Sequence, residues 1–453
     1  MQLKKVFRTH FKGKKVLIMG LGLHGGGAGT VRFFAKTGAV VTVTDLRRRS
    51  LLHQPIAELS HLKHVRYVLG RHRKKDFEHA DYIVKNPGIP PYSPWLLAAQ
   101  RKQIPIISDI GIFFMYCPAQ IIGVTGTRGK STAAYLIWKF LSSTKKHVYL
   151  GGNIRKSVLD FMHRLTKNDI VVLELSSFQL KDMAYVRRSP QVSVLTNIFP
   201  DHLNWHGTIK NYRNAKKNIF KFQKPHDYLF VGASDLSARA LARITPSRVR
   251  YPTLPLILRP VVDVHVGRHY RDTIALAYAV GKHFRVPAHR MKKIIRAFRG
   301  LEGRQEILPA RRGIHFVNDT TATIPDASIA AIRRFKTYAG RNQLILIAGG
   351  SDKGLRYEEM ASAIKKDVDA LILLPGDATD KIKSQVKNLK IPSSKICEVS
   401  TMRKAVIRAR RIAKKGDWVL LSPGAASFGL FANEFDRGTQ FVKALKTYGS
   451  NHR

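Results

Sequence analysis

The residues Gly126-Thr127-Arg128-Gly129-Lys130-Ser131-Thr132 place two glycines, a lysine and hydroxyls between an apolar run, Ile121 to Thr125, and a helical pattern from Ala133 to Leu141. Backbone amides of such a loop cradle phosphate oxygens. The lysine offsets β/γ-phosphate charge, and the following serine hydroxyl can ligate Mg²⁺. Strict P-loop spacing needs glycine at position 124, where this chain has Val124. The loop is therefore a shorter variant. A glycine turn that merely holds a lysine is the bland alternative, and Lys130-Ser131-Thr132 opening a helix argues against it.

Further candidates follow along the chain. Glu174 closes the run Val171-Val172-Leu173-Glu174. A carboxylate at the carboxyl end of a parallel strand faces the ligand edge of the sheet. Metal ligation and a strand-end salt bridge are equally open readings. His202 and His206 have helical spacing, but no third ligand supports zinc. Lys216 lies in a basic stretch, and its residue type alone does not separate it from a solvated helix face. Upstream, Gly20, Gly22 and Gly25 match the dinucleotide fingerprint, with Asp45 twenty positions beyond Gly25. A tight turn without ligand fits that spacing equally well. Downstream, Asn318 to Thr323 and Ser422 to Ser427 each follow a strand, so both loops would open on one sheet edge. Capping of the next helix is the plain role for the first of them.

These residues need strands and helices in alternation, and the sequence provides them. Predicted strands include Lys15 to Met19, Val40 to Thr44, Ile121 to Thr125, Ile170 to Leu175, Ser193 to Asn197, Ile314 to Val317, Gln343 to Ala348, Ala370 to Leu374 and Trp418 to Leu421. Helices are expected over much of Tyr212 to Phe222 and near Thr273 to His283 and Ala288 to Phe298. The pattern is α/β. It predicts three domains: a Rossmann-like domain over 1–117, a central P-loop-type ATP-binding domain with a parallel-rich sheet over 118–301, and a Rossmann-like domain over 302–453. Cys117-Pro118 and Gly300 to Gly303 mark the boundaries.

The 453 residues carry 79 Lys and Arg against 30 Asp and Glu, a formal charge of +49. Basic clusters are scattered, as in Arg47-Arg48-Arg49 and Arg408 to Lys415, and aromatics do not interleave with them. That distribution disfavours a nucleic-acid groove. It would steer a polyanionic small substrate. Two cysteines far apart fit neither a disulfide framework nor a zinc site, and point to a reducing, cytoplasmic compartment. No apolar run approaches the ~20 residues of a membrane span. The basic N-terminus lacks the apolar core of a secretory signal.

Taken in order, these motifs resemble the Mur ligase family over nearly the whole chain. The carrying stretches are Gly20 to Leu23, Asn86-Pro87-Gly88-Ile89-Pro90, Gly126 to Thr132, Glu174 to Gln179, Asn197 to His202 with His206-Gly207, Asn318-Asp319, Gly349 to Gly354, and Leu421 to Gly438. The branch most similar adds D-glutamate. The resemblance implies ATP bound by Gly126, Thr127, Arg128, Gly129, Lys130, Ser131 and Thr132, with Arg304 and Asp319 reaching it from the third domain. It implies two Mg²⁺ sites held by Ser131, Glu174, His202 and a carbamylated Lys216. Lys130, His202 and Lys216 carry the catalytic roles. Leu23, His24, Asp45, Arg47, Asn86, Gly88 and Asn153 would hold a UDP-sugar, and Thr321, Ser427 and Phe431 the amino acid. The implied substrates are UDP-N-acetylmuramoyl-L-alanine, D-glutamate and ATP. They would be joined through an acyl phosphate by a monomer.

The chain departs from the family pattern at several points. The usual Asp-Ser-Lys-Ala-Thr run reads Asp319-Thr320-Thr321-Ala322-Thr323, so Thr321 replaces the lysine that grips the glutamate carboxylate. An aromatic–acid pair is reversed as Glu434-Phe435. His24 replaces a small hydroxyl residue and Asn86 a common serine. A lost charged hydrogen bond costs ~1.5–3 kcal/mol unless another cation substitutes. Amino-acid choice is thus the open point, with a ligase for another amino acid such as L-glutamate as the alternative. A basic nucleic-acid-binding ATPase is the remaining one.

Overall fold

A computed structural model describes residues 2–23, 25–154 and 157–447. His24, expected at the uridine site, lies outside the described residues. The chain forms two compact units, Met1–Val262 with Tyr270–Ile295, and Asp263–His269 with Arg296–Arg453.

The first unit holds two sheets. The N-terminal one comprises β1 (Lys15–Met19), β2 (Val40–Asp45), β3 (Arg66–Leu69), β4 (Tyr82–Lys85) and β5 (Ile106–Ile107), in the order β3-β2-β1-β4-β5. All pairings are parallel. Strands buried on both faces read as continuous apolar runs. Val16, Ile18, Val41 and Val43 accordingly pack with Val31 and Phe34 of the helix Gly26–Thr37.

The second sheet comprises β6 (Gln120–Thr125), β7 (Val148–Gly152), β8 (Ile170–Glu174), β9 (Val192–Leu195), β10 (Tyr228–Val231) and β11 (Arg248–Arg250). Its order is β11-β10-β9-β6-β8-β7, all parallel. β6 lies between β8 and β9. The loops leaving all three therefore share one sheet edge, which brings Gly126, Glu174 and Asn197 together.

The layers around the two sheets are tied through their helices. Arg32 grips Asp160 with Nε and Nη2 at 3.0 and 2.8 Å. A Cβ on Gly29 would lie 2.2 Å from Ser157 Cβ, so this close helix contact needs glycine. Lys85 of β4 pairs with Asp182 at 2.7 Å, both buried.

The second unit comprises β12 (Glu306–Arg311), β13 (Ile314–Asn318), β14 (Leu344–Gly349), β15 (Ala370–Leu374), β16 (Ile396–Glu398) and β17 (Trp418–Leu421), ordered β12-β13-β17-β14-β15-β16. Only the edge strand β12 runs antiparallel.

Local chemistry adjusts some expected elements. The helix after the glycine loop begins at Lys130, not Ala133, because Gly129 takes a left-handed φ of 81° and serves as its N-cap. The helix around Lys216 spans Ile209–Lys217. The Thr208 hydroxyl accepts from Asn211 N at its start, and the helix ends before Phe222. Strands β3, β4, β5, β7, β10, β11, β12 and β16 are not foreseen, most being short or only partly apolar.

Candidate active site

The glycine loop is fixed by the end of β9. Thr127 N donates to Asn197 O at 2.9 Å and Arg128 N to Asn197 Oδ1 at 2.8 Å. Thr196 Oγ1 and Asn197 Nδ2 donate to Arg128 O at 2.6 and 3.2 Å. Thr127 Oγ1 meets Tyr212 OH at 2.9 Å. Gly126 has φ 147°, and a Cβ there would come 1.8 Å from Thr196 Oγ1. Glycine is obligatory at that position. Lys130 Nζ donates to Thr127 O at 2.8 Å, so its ammonium lies over the loop. Ser131 and Thr132 follow in the first helical turn, where exposed N–H groups favour an anion.

Glu174 and Lys216 meet this loop from neighbouring elements. Glu174 is buried. Its Oε1 accepts from Asn153 Nδ2 at 3.1 Å, while Oε2 is buried without a hydrogen-bond partner. An orphaned carboxylate oxygen costs free energy and fits a cation ligand. Lys216 is also buried, with Nζ donating to Gly126 O at 2.7 Å and lying over the Tyr212 ring. Burial, with the charge of Lys130, holds this amine well below the ordinary lysine range. A lysine held toward its neutral form is a nucleophile.

The two histidines diverge in environment. His206 is buried with Nε2 3.0 Å from Ser177 Oγ, and burial lowers its pKa to about 4. His202 is half-exposed, left-handed at φ 52°, 3.5 Å from Asp201 and against Phe178.

In the first sheet Asp45 is buried, and both its oxygens are engaged. Oδ2 accepts from Leu21 N and Gly22 N at 3.0 and 3.2 Å, and Oδ1 from Arg47 N at 2.9 Å. Its immediate role is to hold the glycine turn open. Asn86 lies against that turn, because a Cβ on Gly22 would approach its Nδ2 to 3.3 Å. Gly88 N donates to Asn86 Oδ1, and Gly88 O accepts from Trp205 Nε1. Leu23 and the Arg47 side chain are exposed. Asp45, Arg47, Asn86 and Gly88 thus gather at the carboxyl ends of β1, β2 and β4. Asn153 sits apart from them, at Glu174.

In the second unit, adjacent strands β13 and β17 put both predicted loops side by side. Asp319 is buried, accepting from Gln305 N at 3.0 Å and Ser422 Oγ at 2.8 Å. That first bond sets Arg304, which is exposed, next to it. Burial raises the Asp319 pKa to about 7. Thr321 Oγ1 donates to Gly303 O at 3.0 Å. Ser427 is buried, and Phe431 packs inward with Phe316 and Leu421.

Two residues that sequence reasoning passed over organise these loops. Arg437 is fully buried and donates to Thr320 O at 2.7 Å and to Ala425 O at 3.1 Å, stitching the loops together. No sequence signal marks it among so many arginines. Tyr212 supports both Thr127 and Lys216, and its helical spacing to Lys216 is the one available hint.

Among the described residues no cluster of three His, Cys, Asp or Glu forms a metal site. No helix among them is long and apolar enough to cross a membrane.

Three family models match: Mur ligase MurD-like, N-terminal domain, at 14–108; Mur ligase middle domain at 124–253; and Mur ligase, glutamate ligase domain, at 303–424. The chain is similar to proteins named UDP-N-acetylmuramoylalanine–D-glutamate ligase. That of Roseiflexus sp. is 38% identical over 96% of this chain and 99% of the relative. That of Borreliella afzelii is 34% identical over 97% and 99%. Among solved structures, UDP-N-acetylmuramate-alanine ligase MurC from Thermotoga maritima superposes with TM-score 0.65 at 17% identity, covering 96% of this chain and all of that one. MurF ligase from Thermotoga maritima in complex with ADP gives 0.55 at 14%, covering 97% and 96%. These two show the shared fold.

Proposed function

The chain belongs to the Mur ligase family, and on that premise we propose that it joins D-glutamate to UDP-N-acetylmuramoyl-L-alanine at the expense of ATP, releasing ADP and phosphate. The observation that carries this reading is the convergence of Gly126, Glu174 and Lys216 on one sheet edge, with a buried carboxylate oxygen left unpartnered. The 96–99% coverage of relatives bearing that activity in their names supports it.

In this reading the Gly126–Thr132 loop holds the ATP phosphates, with Lys130 over them. This reading also assigns Arg304 and Asp319 to ATP. Two Mg²⁺ would be held by Ser131 and Glu174, and by His202 with a carbamylated Lys216. Such ions supply charge neutralisation on phosphate oxygens. The buried, largely desolvated Lys216 amine suits addition to carbon dioxide, which would turn it into a carboxylate-like ligand. The substrate carboxylate attacks the γ-phosphorus and ADP leaves. The amine of glutamate then attacks the acyl carbon, phosphate leaves, and the nitrogen loses its proton. The chain's contribution is positioning and electrostatics. Asp45, through the glycine turn, and Asn86, Gly88, Leu23, Arg47 and Asn153 orient the UDP-sugar. Thr321, Ser427 and Phe431 form the amino-acid side. The same reading divides the chain at 117 and 301 and makes it a cytoplasmic monomer.

A second reading, a ligase for another amino acid, is favoured by Thr321 in place of lysine. Phosphate release is measured with ATP, Mg²⁺, UDP-N-acetylmuramoyl-L-alanine and a panel of amino acids. Turnover with D-glutamate alone is expected. Preference for L-glutamate or another amino acid supports the second reading. Release without any amino-acid dependence overturns both.

A further inference from the structure

A cavity of about 320 Å³ opens in the first unit beside the edge of the N-terminal sheet. Its walls are apolar: Leu96, Ile104, Ile106, Ile107, Met115 and Val186. Its polar side chains are Lys85, Asp182 and Ser108, with Gln100 and Tyr185. The glycine loop, Glu174 and Lys216 do not line it. The volume lies within the ~300–1,000 Å³ usual for small-molecule sites, and an apolar wall with few convergent polar groups is their usual chemistry.

The polar side is an ion pair that already satisfies its own charge. Lys85 Nζ lies 2.8 and 2.7 Å from the two oxygens of Asp182, and both residues are buried. Asp109 stands close enough to feel both, and its burial pushes its pKa up to about 6. A charged ligand head would lose its hydration here against partners that already neutralise one another. An uncharged head costs less. A carboxamide or hydroxyl can accept from a spare ammonium N–H and donate to a spare carboxylate lone pair at once. We propose that this cavity binds a small uncharged amphiphile, an aromatic or branched aliphatic body with one carboxamide or hydroxyl head placed on the Lys85–Asp182 pair. Lys85 belongs to β4, directly before Asn86. Asp182 belongs to the helix Ser177–Val186 of the second sheet's layer. The occupant therefore touches both halves of the first unit.

The test uses benzamide, with benzoate and benzylamine as charged isosteres, on the full chain without ATP or substrate. Isoleucine and methionine methyl NMR signals of Ile106, Ile107 and Met115 report occupancy. Benzamide should produce saturable shifts, with the charged isosteres at least ten-fold weaker. Ile104→Trp, which fills the cavity, should abolish the shifts. If that variant does not fold, Gln100→Trp on the exposed rim replaces it and should weaken binding at least ten-fold. No saturable shift, equal or tighter binding of benzoate or benzylamine, or unchanged affinity in the folded tryptophan variant would overturn the proposal.

Discussion

Asn153 Nδ2 donates to Glu174 Oε1 at 3.1 Å, while Oε2 of the same carboxylate stays buried without a partner. One oxygen is held in orientation and the other is left to ligate. Glu174→Gln should lower kcat at least 100-fold and raise the Mg²⁺ concentration for half-maximal rate. Asn153→Ala acts through Glu174 and should raise the Mg²⁺ concentration for half-maximal rate about 10–100-fold, as loss of supporting hydrogen bonds does elsewhere. A Mg²⁺ titration of phosphate release checks both, and unchanged half-saturation in both variants removes the metal assignment.

Lys216 reaches Gly126 O from within a buried pocket. Lys216→Ala should abolish turnover, and a short added carboxylate such as formate should restore part of it. Lys216→Arg keeps a cation but cannot become a carboxylate-like ligand, so it should stay inactive. Full activity of either variant in the phosphate-release assay contradicts the role.

Gly126 leaves no room for a side chain, since its Cβ would sit 1.8 Å from Thr196 Oγ1 with φ at 147°. Gly126→Ala should displace the loop, cost about 1–3 kcal/mol of local strain, and weaken ATP binding at least ten-fold by calorimetry. Wild-type affinity would mean that the loop does not hold the nucleotide.

Asp319 has its pKa raised by burial from 3.8 to about 7. The folded state therefore holds this proton more tightly than the unfolded chain. The stabilisation is full below the unfolded value and is lost as pH rises through the folded one, by about 4 kcal/mol at the ceiling. Asp319→Asn never ionises. Its stability relative to the parent protein should rise between about pH 4 and pH 7, read as thermal midpoints across that range. A pH-independent difference would remove Asp319 as the titrating group.

Thr321 stands where the family pattern has a lysine, and its hydroxyl is engaged with Gly303 O. Thr321→Lys should lower KM for D-glutamate about ten-fold with little change in KM for ATP, if this side chain faces the amino-acid carboxylate. No change in the amino-acid KM would place the carboxylate elsewhere.

The α/β alternation, the glycine loop from Gly126 and the strand-end position of Glu174 were legible in the chain. Local apolar runs and turn chemistry specify them without distant partners. The left-handed Gly129 and the cap at Thr208, which set where two helices begin, are local in the same sense but fall below the precision of pattern reading. What tertiary structure alone decided is convergence. Strand order put β6 between β8 and β9, so Asn197 could pin the loop and Lys216 could lose its solvent. It turned Asp45 inward onto Leu21 and Gly22, made Arg437 the stitch between two loops, and paired Lys85 with Asp182 across ninety-seven positions. Burial and long-range pairing depend on which elements become neighbours, and a residue's own type and flanks carry almost no information about that.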